Sequence, residues 1–215
     1  MKNFVKKMLE DCGVVNNQYK EQKRNEKETN GWISIDEIKT IYNDLLEKVQ
    51  NIFNQKAMLN YNVIVEFFLL MCLGGVSGIA PRRSLDYGLM MIKGYDVKTC
   101  NYYKNGKFYF NQYKTKEVYG TQSIDIPKDL ITLIKKWIKI NPTNYLLFSS
   151  NKNPLSSSQI TRMLNKILGK KCSTDLLRHI YLTDKYSNLP SLMDMEKTAK
   201  DMSHSLNTAL QYIKR

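Results

Sequence analysis

Two histidines, a few arginines and fourteen tyrosines are the residues of this 215-residue sequence best suited to chemistry. Metal chemistry fits them poorly. His179 and His204 stand in no HxxxH spacing, and Cys12, Cys72, Cys100 and Cys172 form no CxxC pair, so zinc-ligand spacing is missing. A carboxylate triad could be drawn from Asp86, Asp125 and others, but any chain with 20 acidic residues permits that. A different constellation stands out: Arg83, a lysine at 114 or 116, the Arg178-His179 pair, His204 and Tyr212. These types suit work on a phosphate anion. Guanidinium groups present rigid forked donors to anionic oxygens. A tyrosine hydroxyl, with a pKa of about 10, becomes a nucleophile once its proton is accepted and the anion's charge is neutralised.

The elements that must carry these residues are legible in outline. Residues 3–11 suit a short helix, and residues 16–30 are polar, charged and aperiodic, a linker after which the ordered body begins at Trp32. Ser34 with Glu37 three residues later predicts a capping box and an amphipathic helix to about Phe53. A more buried helix is expected from about Ala57 to Leu73. Gly74, Gly75 and Gly78 then break the pattern, and Pro81 suits the first turn of a helix holding Arg82, Arg83 and Asp86. Asn105-Gly106 between residues 101–104 and 107–110 predicts a hairpin with a type I′ turn. A third strand at 122–126 follows a turn holding Lys114, Lys116 and Gly120. Pro127 opens a helix through Ile140, Ser157 or Ser158 caps one to about Leu168, and shorter helices fit 173–187, 191–202 and 205–214. The class is mostly α with one small three-stranded antiparallel sheet. The aromatic group Tyr102, Tyr103, Phe108 and Tyr109 suits sheet packing better than base stacking.

Four stretches, in this order, resemble the catalytic domain of tyrosine recombinases, the phage-integrase family. Gly78-Ile79-Ala80-Pro81-Arg82-Arg83-Ser84-Leu85-Asp86 is similar to the first arginine motif, and the acidic residue three positions on favours Arg83 over Arg82. Gln112-Tyr113-Lys114-Thr115-Lys116, before a strand that ends in Ile126-Pro127, stands where that family carries its hairpin lysine. Leu176-Leu177-Arg178-His179 resembles the second arginine motif, and Ser203-His204 through Tyr212 the terminal one. The resemblance covers about residues 32–215. It departs in two places. Asp175 occupies a position that is usually His, so a phosphate contact there would be absent or fall to Thr174 or His179, and Tyr212 lies one residue nearer its His than is usual. If 204–212 were helical throughout, that shift would turn the tyrosine by about 100°.

The resemblance implies roles. Arg83 and Arg178 would hold the nonbridging oxygens, and His204 would bond the phosphate and accept the Tyr212 proton. Lys114, with Lys116 as the other choice, would protonate the departing 5′-oxygen. The product would be a 3′-phosphotyrosine link that a second 5′-hydroxyl can reverse, with no metal or cofactor. Asp86 would position an arginine, His179 would buttress the site, and Arg82 and Lys116 would meet solvent or the DNA backbone. Against these stand plainer readings. Arg178 could be the buried ion-pair partner of Asp175 or Asp184. The chain could also be a type IB topoisomerase, or a non-catalytic basic DNA-binding protein derived from a recombinase.

Composition agrees with a folded protein of one domain or little more: 42% hydrophobic, 25% charged, net charge +13. The excess is uneven. Residues 31–80 hold 3 Lys and Arg against 5 Asp and Glu, and residues 81–215 hold 23 against 10. A basic, tyrosine-rich C-terminal part suits a polyanion, and double-stranded DNA is the expected partner. Val63–Val76 is too short to span a bilayer and no signal peptide opens the chain, so an intracellular, membrane-free protein acting wherever its DNA lies is expected. Recombinases of this family usually add a DNA-clasping domain of about a hundred residues. Residues 1–30 are too short for one, and the chain ends three residues after Tyr212. These features suit an isolated or compact catalytic domain, a monomer in solution that assembles on DNA, and the Asn- and Lys-rich composition suits an AT-rich genome such as that of a virus or mobile element.

Overall fold

The computed structural model describes residues 24–187 and 192–213. The helix expected at 3–11 lies outside them. Residues 24–30 are not linker: α1 (Glu26–Gly31) begins on Asn25, whose side chain accepts from the Glu28 N–H, while Glu28 accepts from the Asn25 N–H. The reciprocal bond closes a capping box that the polarity of the segment conceals. Gly31 then passes so close to the chain at Lys171 that a Cβ there would lie 2.3 Å from the Lys171 carbonyl oxygen, so α1 docks only because residue 31 has no side chain.

Helix α2 (Ile35–Phe53) starts on the Ser34–Glu37 capping box and buries Ile38, Tyr42, Leu45, Val49 and Ile52, a stripe at spacings of three and four. Helix α3 begins at Tyr61 rather than Ala57, because Asn60 caps it by accepting from the N–H groups of Asn62 and Val63. It ends at Leu73. Its residues 67–73 are all buried, as the central helix of a bundle requires. The hydrophobic core gathers around it from α2, α6 (Lys128–Ile140), α7 (Ser157–Leu168) and α8 (Thr174–Lys185). Ser156, not Ser157 or Ser158, caps α7 through a capping box with Gln159.

The sheet is β1 (Tyr102–Lys104), β2 (Lys107–Phe110) and β3 (Gln122–Asp125), antiparallel in that order. Asn105 at φ 50° and Gly106 at φ 80° make the tight turn. Period-two alternation sends Tyr103, Phe108 and Phe110 into the core, where Phe108 and Phe110 meet the edge of Tyr87. On the opposite face Tyr95, Tyr102 and Tyr109 stack at 4.5 and 4.7 Å, so these aromatics pack the sheet. Between β2 and β3 the turn contains a four-residue helix, α5 (Lys116–Tyr119).

Pro81 precedes its helix: α4 (Ser84–Gly88) begins after Arg83. At the other end, α9 (Leu192–Asp201) and α10 (Leu206–Leu210) pack on α8 through a second small core of Leu182, Tyr186, Ala199, Met202, Ala209 and Ile213. Helix α10 stops at Leu210, so 205–214 is not one helix. Tyr212 follows in a tightened turn, its N–H bonding the Ala209 carbonyl at 3.1 Å. Among the described residues no helix is long and apolar enough to cross a membrane.

Candidate active site

The first arginine motif separates its two arginines. Arg82 is wholly buried. Its Nε donates to Asp86 Oδ2 at 2.8 Å, and its Nη1 to Gln122 Oε1 and to the Asp201 carbonyl, both at 2.8 Å. The guanidinium plane lies 4.0 Å over Phe110. Arg82 is therefore not the solvent-facing residue expected from sequence. It joins α4, β3 and the end of α9. The reason is local: Arg82 stands four residues before Asp86, on the extended segment that leads through Arg83 into α4. Arg83 is only partly buried and stands at the rim. Burial pushes the Asp86 carboxyl above its ordinary range, and the guanidiniums of Arg82, Arg83 and Arg178 pull it back. Asp86 is thus an arginine-positioning carboxylate, with Arg82 as the arginine it holds.

Helix α8, capped by Ser173, carries the second motif on its buried face. Arg178 Nη2 donates to Asp175 Oδ1, so the ion pair that a structural arginine would make is present. Its Nε and Nη1 are buried with no partner among the described residues. The Asp175 carboxylate, half exposed, also lies 3.7 Å from His179 Nε2. At the usual histidine position this chain thus has an anchor for Arg178 rather than a donor to an anion.

His204 and Tyr212 are placed by a helix stop. Ser203, at φ 59°, takes the left-handed position that ends α9. Its N–H bonds the Lys200 carbonyl and the His204 N–H bonds the Ala199 carbonyl, both at 2.9 Å. A left-handed serine is strained by about 1 kcal/mol relative to glycine. Its hydroxyl donates to Gln122 Oε1, which also receives Arg82 Nη1. His204 is consequently buried. Desolvation, then the charges of Arg178 and Arg83, lower its pKa to about 4, so the ring is neutral at pH 7. Its Nε2 has no partner among the described residues. The Tyr212 ring sits 4.9 Å from His204 and 4.6 Å from His179, with the Arg178 guanidinium 5.3 Å away.

Lys114 is exposed and Lys116 half-buried, and neither side chain makes a hydrogen bond or ion pair among the described residues. Thr115 between them donates to the Ser203 carbonyl at 3.5 Å, so their loop touches the turn that carries His204. Two further residues belong to the site. Gln122 accepts from Arg82 and Ser203 together. Glu28, across the fold on α1, lies 2.7 Å from His179 Nδ1. No motif marks either, because glutamine and glutamate are common in strands and polar helices alike.

Four buried nitrogens of the motif residues have no partner among the described residues: Arg82 Nη2, Arg178 Nε and Nη1, and His204 Nε2. Each unsatisfied buried group costs about 1–3 kcal/mol. An oxyanion brought among them would satisfy several at once and would balance the charge.

No protein-family model matches the sequence, and no curated protein matches it. Solved structures do match the fold. XerA recombinase superposes with TM-score 0.56 at 14% identity over 86% of this chain. The XerH site-specific recombinase matches in its pre-cleavage complex with the difH substrate (TM-score 0.51, 16% identity) and in a post-cleavage complex with palindromic difH (TM-score 0.51, 17% identity), each over 85% of this chain. The chain spans 58% of the length of the first and 49% of the others. Helices around a buried α3, flanked by one three-stranded sheet, thus make this chain a tyrosine recombinase catalytic-domain fold.

Proposed function

We propose that the protein cuts and rejoins double-stranded DNA through Tyr212, as a recombinase or integrase. The observation that carries the reading is the packing of the Tyr212 ring against His204, His179 and Arg178 beside buried donors that lack partners among the described residues. The scissile phosphate would lie among Arg83, Arg178 and His204, where forked donors stabilise charge that grows in the transition state. Neutral His204 accepts the Tyr212 proton as the phenolic oxygen bonds to phosphorus. The bond from phosphorus to the 5′-oxygen breaks, and Lys114 or Lys116 gives that oxygen a proton. The resulting 3′-phosphotyrosine keeps a phosphodiester's bond energy, so a 5′-hydroxyl can reverse the step. No step is routed through a metal. The basic half of the chain supports DNA as the partner.

The test is a suicide DNA duplex incubated with chelator and resolved on a denaturing gel. Wild type is expected to give a covalent protein–DNA band that Tyr212→Phe abolishes, while salt-sensitive DNA binding survives. Binding without any band, on substrates of varied sequence, would leave a DNA-binding protein that has lost the chemistry. Supercoil relaxation without exchange between two duplexes would make it a topoisomerase.

A further inference from the structure

The carboxylate of Glu28 is divided between two tasks. Oε2 accepts from the Asn25 N–H at 2.9 Å and closes the cap of α1, while Oε1 lies 2.7 Å from Nδ1 of His179 on α8. Only 12% of its side chain and 5% of the His179 side chain is exposed, so the contact is shielded from water. The N–H does not point straight along it, but two lone pairs could not face each other at that distance, and Nδ1 must carry a proton. Nε2 is turned toward Asp175, and the ring rests 4.6 Å from that of Tyr212. A carboxylate fixing the tautomer and tilt of an imidazole beside a nucleophile is a known way of holding a site in register.

We infer that Glu28 is a positioning residue of the Tyr212 site, acting through Nδ1 of His179 to set that ring's tautomer and its seat against the tyrosine. The inference rests on the reading of Tyr212 as nucleophile. It makes α1, outside the four motif stretches, a working part of the site.

Because the chain has only two histidines, imidazole nitrogen-15 shifts of the full-length protein are read directly, with His204→Gln for assignment. Wild type is expected to show His179 protonated at Nδ1. Glu28→Ala should move His179 toward the Nε2-protonated form and slow adduct formation on the order of tenfold. Glu26→Ala changes an exposed residue of the same first turn and leaves the cap and both bonds of the Glu28 carboxylate, so it should change neither readout. A Glu28→Ala protein with the wild-type tautomer and rate would overturn the inference, as would equal effects of Glu26→Ala and Glu28→Ala. If wild type formed no adduct, the recombinase reading would fall, and the tautomer comparison would still decide the hold of Glu28 on His179.

Discussion

The ring of Tyr212 packs 4.9 Å from that of His204 across a helix end and a tightened turn, not along one continuous helix. The Tyr212 N–H bonds Ala209 at i−3, and buried Ala209 and Ile213 hold the turn on α8. Helical geometry would make the one-residue-short spacing a rotation of about 100°. Instead the end of α10 and the turn after it set the tyrosine's direction.

The two adjacent arginines should separate by phenotype. Arg82→Ala strands a buried Asp86 and removes the donor shared by Gln122 and Asp201, so a loss of about 3–5 kcal/mol in urea unfolding is expected. Arg83→Ala, at the rim, should cost within about 1 kcal/mol. It should lower the rate of covalent adduct formation at least about a hundredfold. A stable Arg82→Ala protein beside an unfolded Arg83→Ala one would reverse these two roles.

Unpartnered buried donors predict an anion site measurable without DNA. Inorganic phosphate at about a hundred times its Kd would add about 2.7 kcal/mol, raising Tm by about 5–10 °C for a chain of this size. Arg178→Ala should lose most of that increment. Since phosphate also stabilises proteins by exclusion from their surface, the difference between wild type and variant is the quantity to read. Equal increments in both would argue against an anion among these groups.

The depressed pKa of His204, about 4, has a definite sign in stability. Between there and the unfolded value of about 6.5 the unfolded chain binds the extra proton, so the stability contributed by neutral His204 is present above that window and is lost as pH falls through it. Urea unfolding at several pH values should show wild type losing more stability than His204→Gln over that range. Parallel curves would show that His204 is not held neutral by the fold. DNA phosphate beside the ring should raise its pKa, which the same titration on a complex would detect.

Several elements were legible because local chemistry sets them. The Ser34–Glu37 cap, the Asn105-Gly106 turn and the stripe from Ile38 to Ile52 depend on neighbours within one or two turns, and each stands where spacing puts it. The order of the four motif stretches pointed to the fold that the structural comparison found. Boundaries fared worse. Ala57 to Asn60 lie outside α3 because a single side-chain cap overrides helix propensity, and α1 was hidden in a polar stretch whose one fully buried residue is Gly31.

By itself the sequence determined the inventory: a basic C-terminal part, the class of most elements, and the presence of arginines, histidines, lysines and a tyrosine near the C-terminal histidine. Which arginine is buried, that Gln122 joins Arg82 to Ser203, and that Glu28 reaches His179 were decided by the tertiary structure alone. Local rules reach a few residues along the chain. These contacts join residues tens to well over a hundred positions apart, and they exist only once helix and sheet packing has removed water from between them.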